Sequence, residues 1–147
     1  MRLVIDLQGA QGENRGRGIG RYAEALTEAI IRQSGGHDIQ ILLNSALETE
    51  ESDLQRHFID LLCPKSVKVW MPDEQPYERM LAGLAPDRVL LTSLFEGINT
   101  PARTDVTGIP TAVVAYDLIP LVMRERYLDK NPTLESWYLE RLEQLRR

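Results

Sequence analysis

Cysteine occurs once in the 147-residue chain, at Cys63, so no disulfide can form within it. Cys63 follows Leu61-Leu62 in a helix-like pattern, which reads as a buried structural thiol rather than a nucleophile. Histidine is nearly as scarce. His37 sits in a turn after two glycines and His57 beside Phe58 in a helical segment, and no spacing of His, Cys, Asp or Glu has the form of a metal site. No metal is therefore expected. Long apolar runs are missing too, and Asp6 interrupts the first apolar stretch, which excludes a membrane span and a secretory leader of the usual form. That leads to an expectation of a cytoplasmic protein. Positive charge is in deficit: 17 Lys and Arg stand against 22 Asp and Glu, a net charge of -5. Such a balance disfavours nonspecific binding to nucleic acid or anionic lipid. Repeats and low-complexity tracts are absent.

What remains is one domain's worth of ordinary globular composition, 43% hydrophobic and 27% charged, long enough to bury a sizeable core. Short apolar runs alternate with helical patterns. Leu3–Leu7, Ile39–Leu43, Val67–Met71, Arg88–Leu94 and Pro110–Asp117 read as strands. Between them, Ala23, Leu26 and Ile30, with neighbouring Tyr22 and Ala29, recur at helical spacing from about Tyr22, and Ser34-Gly35-Gly36 supplies a stop. Ser52 with Gln55 forms a capping box ahead of Leu54, Phe58, Leu61 and Leu62, and Pro76 opens a short helix carrying Met80, Leu81 and Leu84. Asn131-Pro132 caps a closing helix with the stripe Leu134, Tyr138, Leu142 and Leu145, and the sequence stops on Arg146-Arg147 with that pattern still running. Strands alternating with helices require crossover connections and favour an α/β, Rossmann-like, doubly wound parallel sheet. The expected spatial order is 3-2-1-4-5, which puts the switch point between the first and fourth strands and a ligand crevice beyond their carboxyl ends. The glycine loop and Phe95-Glu96-Gly97 should face each other there, with Tyr116-Asp117 on the adjoining strand.

The most informative stretch is Gly9 to Arg21, G-A-Q-G-E-N-R-G-R-G-I-G-R, lying between the first strand and the first helix. Backbone N–H groups at a helix start, unobstructed glycines and the guanidinium groups of Arg15, Arg17 and Arg21 together suit a phosphate. A second reading stands beside it: a connector whose arginines merely pair with Glu13, Glu24 and Glu28. The spacing of Gly16, Gly18 and Gly20 is not the dinucleotide fingerprint, which follows its strand directly, and Asn44 stands where a ribose-binding carboxylate is expected.

Three pieces in order, G-R-G-I-G-R-Y, then T-S-L-F-E-G from Thr92 to Gly97, then Y-D-L-I-P-L from Tyr116 to Leu121, resemble the N-terminal domain of group-1 (family 4) glycosyltransferases of the GT-B fold. The resemblance is closest to mannosyltransferase-like members that build bacterial surface polysaccharides. It implies that residues 1–147 are the acceptor-side half of a two-domain retaining enzyme whose donor-binding C-terminal domain is absent, so the chain alone should be inactive. It further implies a nucleotide-sugar donor bound as substrate, a saccharide or lipid-linked acceptor, no metal, and a cytoplasmic or peripheral inner-membrane location. Gly16, Arg17, Gly18, Ile19, Gly20 and Arg21 map to the diphosphate and acceptor region, with Glu96 and Gly97 beside them. Tyr116 and Asp117 stand where the family often has His-Asp. Tyrosine offers a hydroxyl to the same sugar oxygen but no cation near neutral pH.

For Glu96-Gly97 a plain turn, and for Tyr116 ordinary core packing, remain open as readings. The competing function is a noncatalytic phosphate- or nucleotide-binding module with a flavodoxin-like sheet.

Overall fold

A computed structural model describes residues 1–12, 15–47, 53–95, 108–116 and 118–145. Its strands are β1 (Arg2–Asp6), β2 (Asp38–Asn44), β3 (Val67–Trp70), β4 (Arg88–Leu91) and β5 (Thr111–Val113). They form one sheet in the order β3-β2-β1-β4-β5, and each neighbouring pair is parallel. The expected order is the observed one. The helices are α1 (Gly18–Arg32), α2 (Asp53–Leu61), α3 (Tyr77–Leu84), α4 (Ile119–Val122), α5 (Arg124–Tyr127) and α6 (Pro132–Gln144).

Alternation along β1 and β2 splits the core into two layers. Ile5, Leu7, Ile41 and Leu43 pack with Ala23 and Ile31 of α1 and with Leu54 and Phe58 of α2. Val4, Leu42, Val89 and Leu91 pack on the other side with Trp70 and with Tyr77 and Leu81 of α3. A parallel sheet buried on both faces explains why its strands read as continuous apolar runs.

Several boundaries differ from the sequence expectation. α1 begins at Gly18, a turn before Tyr22, so Gly18 and Gly20 are helical despite their poor propensity. Tertiary packing overrides it: Gly20, Ala23, Thr27 and Ile31 form the buried side of the helix. β4 ends at Leu91 and β5 at Val113, both shorter than their apolar runs. Thr92, Ser93 and Leu94 stay buried beyond the end of β4. Ser52 lies outside the described residues. Asn131 caps α6 as expected, its Oδ1 accepting from the Leu134 N–H at 3.1 Å. The α6 stripe is less apolar than its pattern, because Arg141 and Gln144 are buried beside Tyr138 while Leu145 is exposed. Cys63 is only half-buried, with its Sγ 3.2 Å from Ser66 Oγ, and that contact lowers the thiol's pKa.

Between β1 and α1 the chain makes a 3-10 turn at Gln8–Ala10 that packs onto the residues following β4. A Cβ added at Gly9 would lie 3.0 Å from both Ser93 Cβ and Thr92 Oγ1, and 3.3 Å from the Thr92 carbonyl carbon. Thr92 cannot retreat freely, since its hydroxyl is bonded to the Asp6 carbonyl at 2.8 Å. Gly9→Ala should therefore lower stability by about 1–3 kcal/mol, read as a fall in the midpoint of thermal unfolding. An unchanged midpoint would mean that this close approach is not maintained in solution.

Candidate functional site

At the carboxyl rim of the sheet the strand ends are closed by the protein's own polar side chains. Asp6, the last residue of β1, is 2% exposed. Its Oδ1 accepts from the Gln8 N–H at 3.0 Å, and its Oδ2 accepts from Gln8 Nε2 at 2.8 Å and from the Tyr77 hydroxyl at 2.5 Å. Burial pushes the Asp6 pKa up, and the Tyr77 and Gln8 donors offset part of that rise. Tyr77 is pushed well above the ordinary tyrosine value, by burial first and then by Asp6, so it remains a neutral donor. Gln8 Oε1 accepts from Asn44 Nδ2 at 2.8 Å, and the Gln11 amide binds both the N–H and the carbonyl of Asn44. Asn44 is thereby committed to the protein's own chain, which removes it as a ribose contact.

The crevice expected directly beyond β1 and β4 is thus filled at its base, and the open surface lies further out, at the start of α1. Arg17 is the N-cap, in extended conformation (φ -98°, ψ 176°), and its own side chain makes no capping hydrogen bond. The leading N–H groups there carry the positive end of the helix dipole. Gly16, Arg17, Gly18 and Arg21 are exposed, Ile19 is half-buried and Gly20 buried. A Cβ at Gly16 or Gly18 would meet nothing within 4 Å, so the fold itself does not demand glycine at either position.

Of the acidic partners expected for the loop arginines, Glu13 lies outside the described residues and Glu28 is held elsewhere. Arg15 reaches Asp53 at 3.6 Å, while Glu28 is held by Arg32 at 3.2 Å and His57 at 2.9 Å. Arg17 and Arg21 make no ion pair among the described residues. Two guanidinium groups therefore flank the helix start.

Tyr116 comes to the same place from the segment after β5. Its hydroxyl lies 2.8 Å from the Thr92 carbonyl and 3.4 Å from the Ile19 carbonyl in the first turn of α1. The single hydroxyl proton can serve only one of these carbonyls at a time, and the Thr92 oxygen is the nearer. Its ring meets Tyr22 edge-to-face, with centroids 5.7 Å apart and planes at 83°. Tyr116 is half-buried and is neither plain core nor free surface. Phe95 packs against Tyr138 and Trp137 of α6, and contact across the rim is made by Gly9 with Thr92 and Ser93. Asp117, Glu96 and Gly97 lie outside the described residues.

Sequence reasoning missed Asp6, Gln8, Gln11, Asn44, Tyr77 and Thr92 as a connected group. The signal was the polar D-L-Q-G-A-Q run directly after an apolar strand, but the partners are tens of residues away. Among the described residues, Glu24, Glu28 and His57 place ligand-type atoms within 4.8 Å of one another on half-buried side chains. Arg32 and His57 already occupy the Glu28 carboxylate. No helix of the described residues is long and apolar enough to cross a membrane.

No protein-family model matches the chain, and no solved structure does. Among curated proteins it is similar over its whole length to the serotype-specific mannosyltransferase WbdA of Escherichia coli, 31% identical over 171 aligned positions that cover 20% of that protein. Two further Escherichia coli proteins of that name are each 27% identical over 146 positions, covering 83% of this chain and 18% of their own length. The chain spans about a fifth of the length of the curated relatives it matches, and the match includes the glycine-rich start of α1 and the Tyr116 segment that meet at the rim.

Proposed function

We propose that the chain is the N-terminal, acceptor-side Rossmann-like domain of a retaining GT-B glycosyltransferase that moves mannose from a nucleotide sugar to a saccharide or lipid-linked acceptor in polysaccharide synthesis. The observation that carries this reading is the similarity of the whole chain to about a fifth of a WbdA mannosyltransferase. The α1 start beside Tyr116 supports it.

Glycosyl transfer develops negative charge on the leaving diphosphate and positive charge at the anomeric carbon, so fixed dipoles and charges at the right places lower the barrier. The leading N–H groups of α1 with Arg17 and Arg21 serve the diphosphate. Gly16 and Gly18 let it approach the backbone closely. Tyr116, held by Thr92, binds a hydroxyl of the transferred sugar together with Asp117, next to it in the chain, and Glu96 and Gly97 contribute to substrate or phosphate binding. The nucleotide is held mainly by a second domain, and neither metal nor prosthetic group enters the reaction. The natural protein works in the cytoplasm or at the inner face of the membrane.

Release of nucleoside diphosphate tests the reading. The full-length protein should discharge GDP from GDP-mannose when given an α-linked mannose oligosaccharide, whereas residues 1–147 alone should not. Absence of release across nucleotide sugars and glycan acceptors would overturn it. Tight nucleotide binding without turnover would instead support the noncatalytic module.

A further inference from the structure

Tyr22 reads in the sequence as a neighbour of the buried stripe of α1, yet its side chain is 53% exposed. It stands one turn beyond Gly18 on the same helix, at the rim, with exposed Arg21 next to it in sequence. Its ring contacts Tyr116 edge-to-face, an arrangement that occupies at most one of the two faces of the Tyr22 ring. The other ring of the pair is fixed by the Tyr116–Thr92 hydrogen bond of 2.8 Å. An aromatic side chain with two rotatable bonds, already braced by a neighbour, loses little freedom when something packs on it.

Resting on the functional reading above, we infer that Tyr22 is a stacking platform for a pyranose ring bound next to the diphosphate. The C–H face of a pyranose carries partial positive charge and matches the negative face of the phenol ring. Position favours a sugar over a nucleobase. Four residues of helix rise put Tyr22 about 6 Å from the level of Gly18. In a nucleotide sugar the transferred pyranose is bonded directly to the diphosphate and the acceptor attacks its anomeric carbon, so both sugars lie within that reach. A base is separated from the phosphates by a ribose and falls farther away. Arg17, the N-cap of the same helix, and Arg21, next to Tyr22 in the chain, are exposed cations in this part of α1.

Saturation-transfer NMR on the 147-residue chain tests this, with α-linked mannotriose as the acceptor-side probe, GDP-mannose as the donor-side probe and GDP as the control. Tyr22→Ala should weaken the binding of at least one mannose-bearing probe by about three- to tenfold, leave GDP binding unchanged, and leave the thermal midpoint near that of the wild type. Tyr22→Trp should restore the affinity, which a merely structural role would not predict. Loss confined to mannotriose assigns the stacked ring to the acceptor, and loss confined to GDP-mannose assigns it to the transferred sugar. Equal binding by wild type and Tyr22→Ala, no mannose-dependent transfer to the wild type, or equal loss for GDP would each overturn the platform. Failure of the functional reading is distinguishable: Tyr22-dependent mannotriose binding would persist while the full-length protein released no GDP from GDP-mannose.

Discussion

Asp6→Ala should destabilise the chain by on the order of 3–5 kcal/mol, among the largest losses expected of any single substitution in it. Truncation leaves the Gln8 N–H, the Gln8 amide and the Tyr77 hydroxyl without their acceptor in a region closed to water. Asp6→Asn is a sharper probe. The network runs in one direction, from Asn44 Nδ2 to Gln8 Oε1 and from Gln8 Nε2 to Asp6 Oδ2. A carboxylate accepts at both oxygens, whereas an amide would set one N–H2 against existing donors or force Gln8 to turn and strand Asn44. Denaturant unfolding should therefore show Asn recovering only part of the loss, and full recovery would mean that the carboxylate is not the anchor of this loop.

The pH dependence has a definite sign. Burial first of all raises the Asp6 pKa in the folded state above its ordinary value of 3.8. The folded chain then binds more protons than the unfolded chain between those two values, and the extra stability from that proton uptake is lost as pH rises through the folded value. Wild-type stability relative to Asp6→Asn should accordingly be greatest in acid and diminish upward from about pH 4. Asp38 works the other way, since Gln40 and Arg2 lower its pKa, so the comparison with the Asn variant is what isolates Asp6.

This contrast marks where the sequence is legible. The strands followed from runs such as Leu3–Leu7 and Ile39–Leu43, because a strand buried on both faces must be apolar throughout, and their order from the alternation with crossover helices. The early start of α1 was hidden because Gly18 and Gly20 oppose helix formation locally and are held there by packing that only the folded sheet supplies. Tyr22 read as a neighbour of the helical apolar pattern, and only the arrival of Tyr116, nearly a hundred residues later, reveals it as rim. For the same reason Asp6 looked like an interruption in an apolar run, when it is the acceptor on which distant Tyr77 and nearby Gln8 converge. Local pattern announces which elements form, whereas polar groups that meet across the sheet have no local signature.

Gly18→Val should reduce turnover of the full-length protein by about a hundredfold or more while leaving its folding intact. The separation of the two effects follows from geometry. A Cβ at Gly18 meets no atom of the described residues within 4 Å and the position is exposed, so a side chain there should be tolerated, although valine and glycine are both poor helix formers. Gly18 is exposed in the first turn of α1, where the diphosphate of the proposed donor would meet the leading N–H groups. A valine there holds the phosphates away from their donors and weakens contacts that strengthen as the leaving group gains charge. Arg17→Ala attacks the same charge from the side chain. Arg17 is exposed and makes no ion pair among the described residues, so its removal breaks nothing in the fold. Its loss should appear chiefly in kcat/KM for the nucleotide sugar, with a smaller effect when lysine replaces it than when alanine does. Stopped-assay release of GDP together with a thermal melt reads both outcomes. If Gly18→Val and Arg17→Ala both turned over GDP-mannose at the wild-type rate, the start of α1 would have no part in holding the diphosphate, whatever the rest of the rim does.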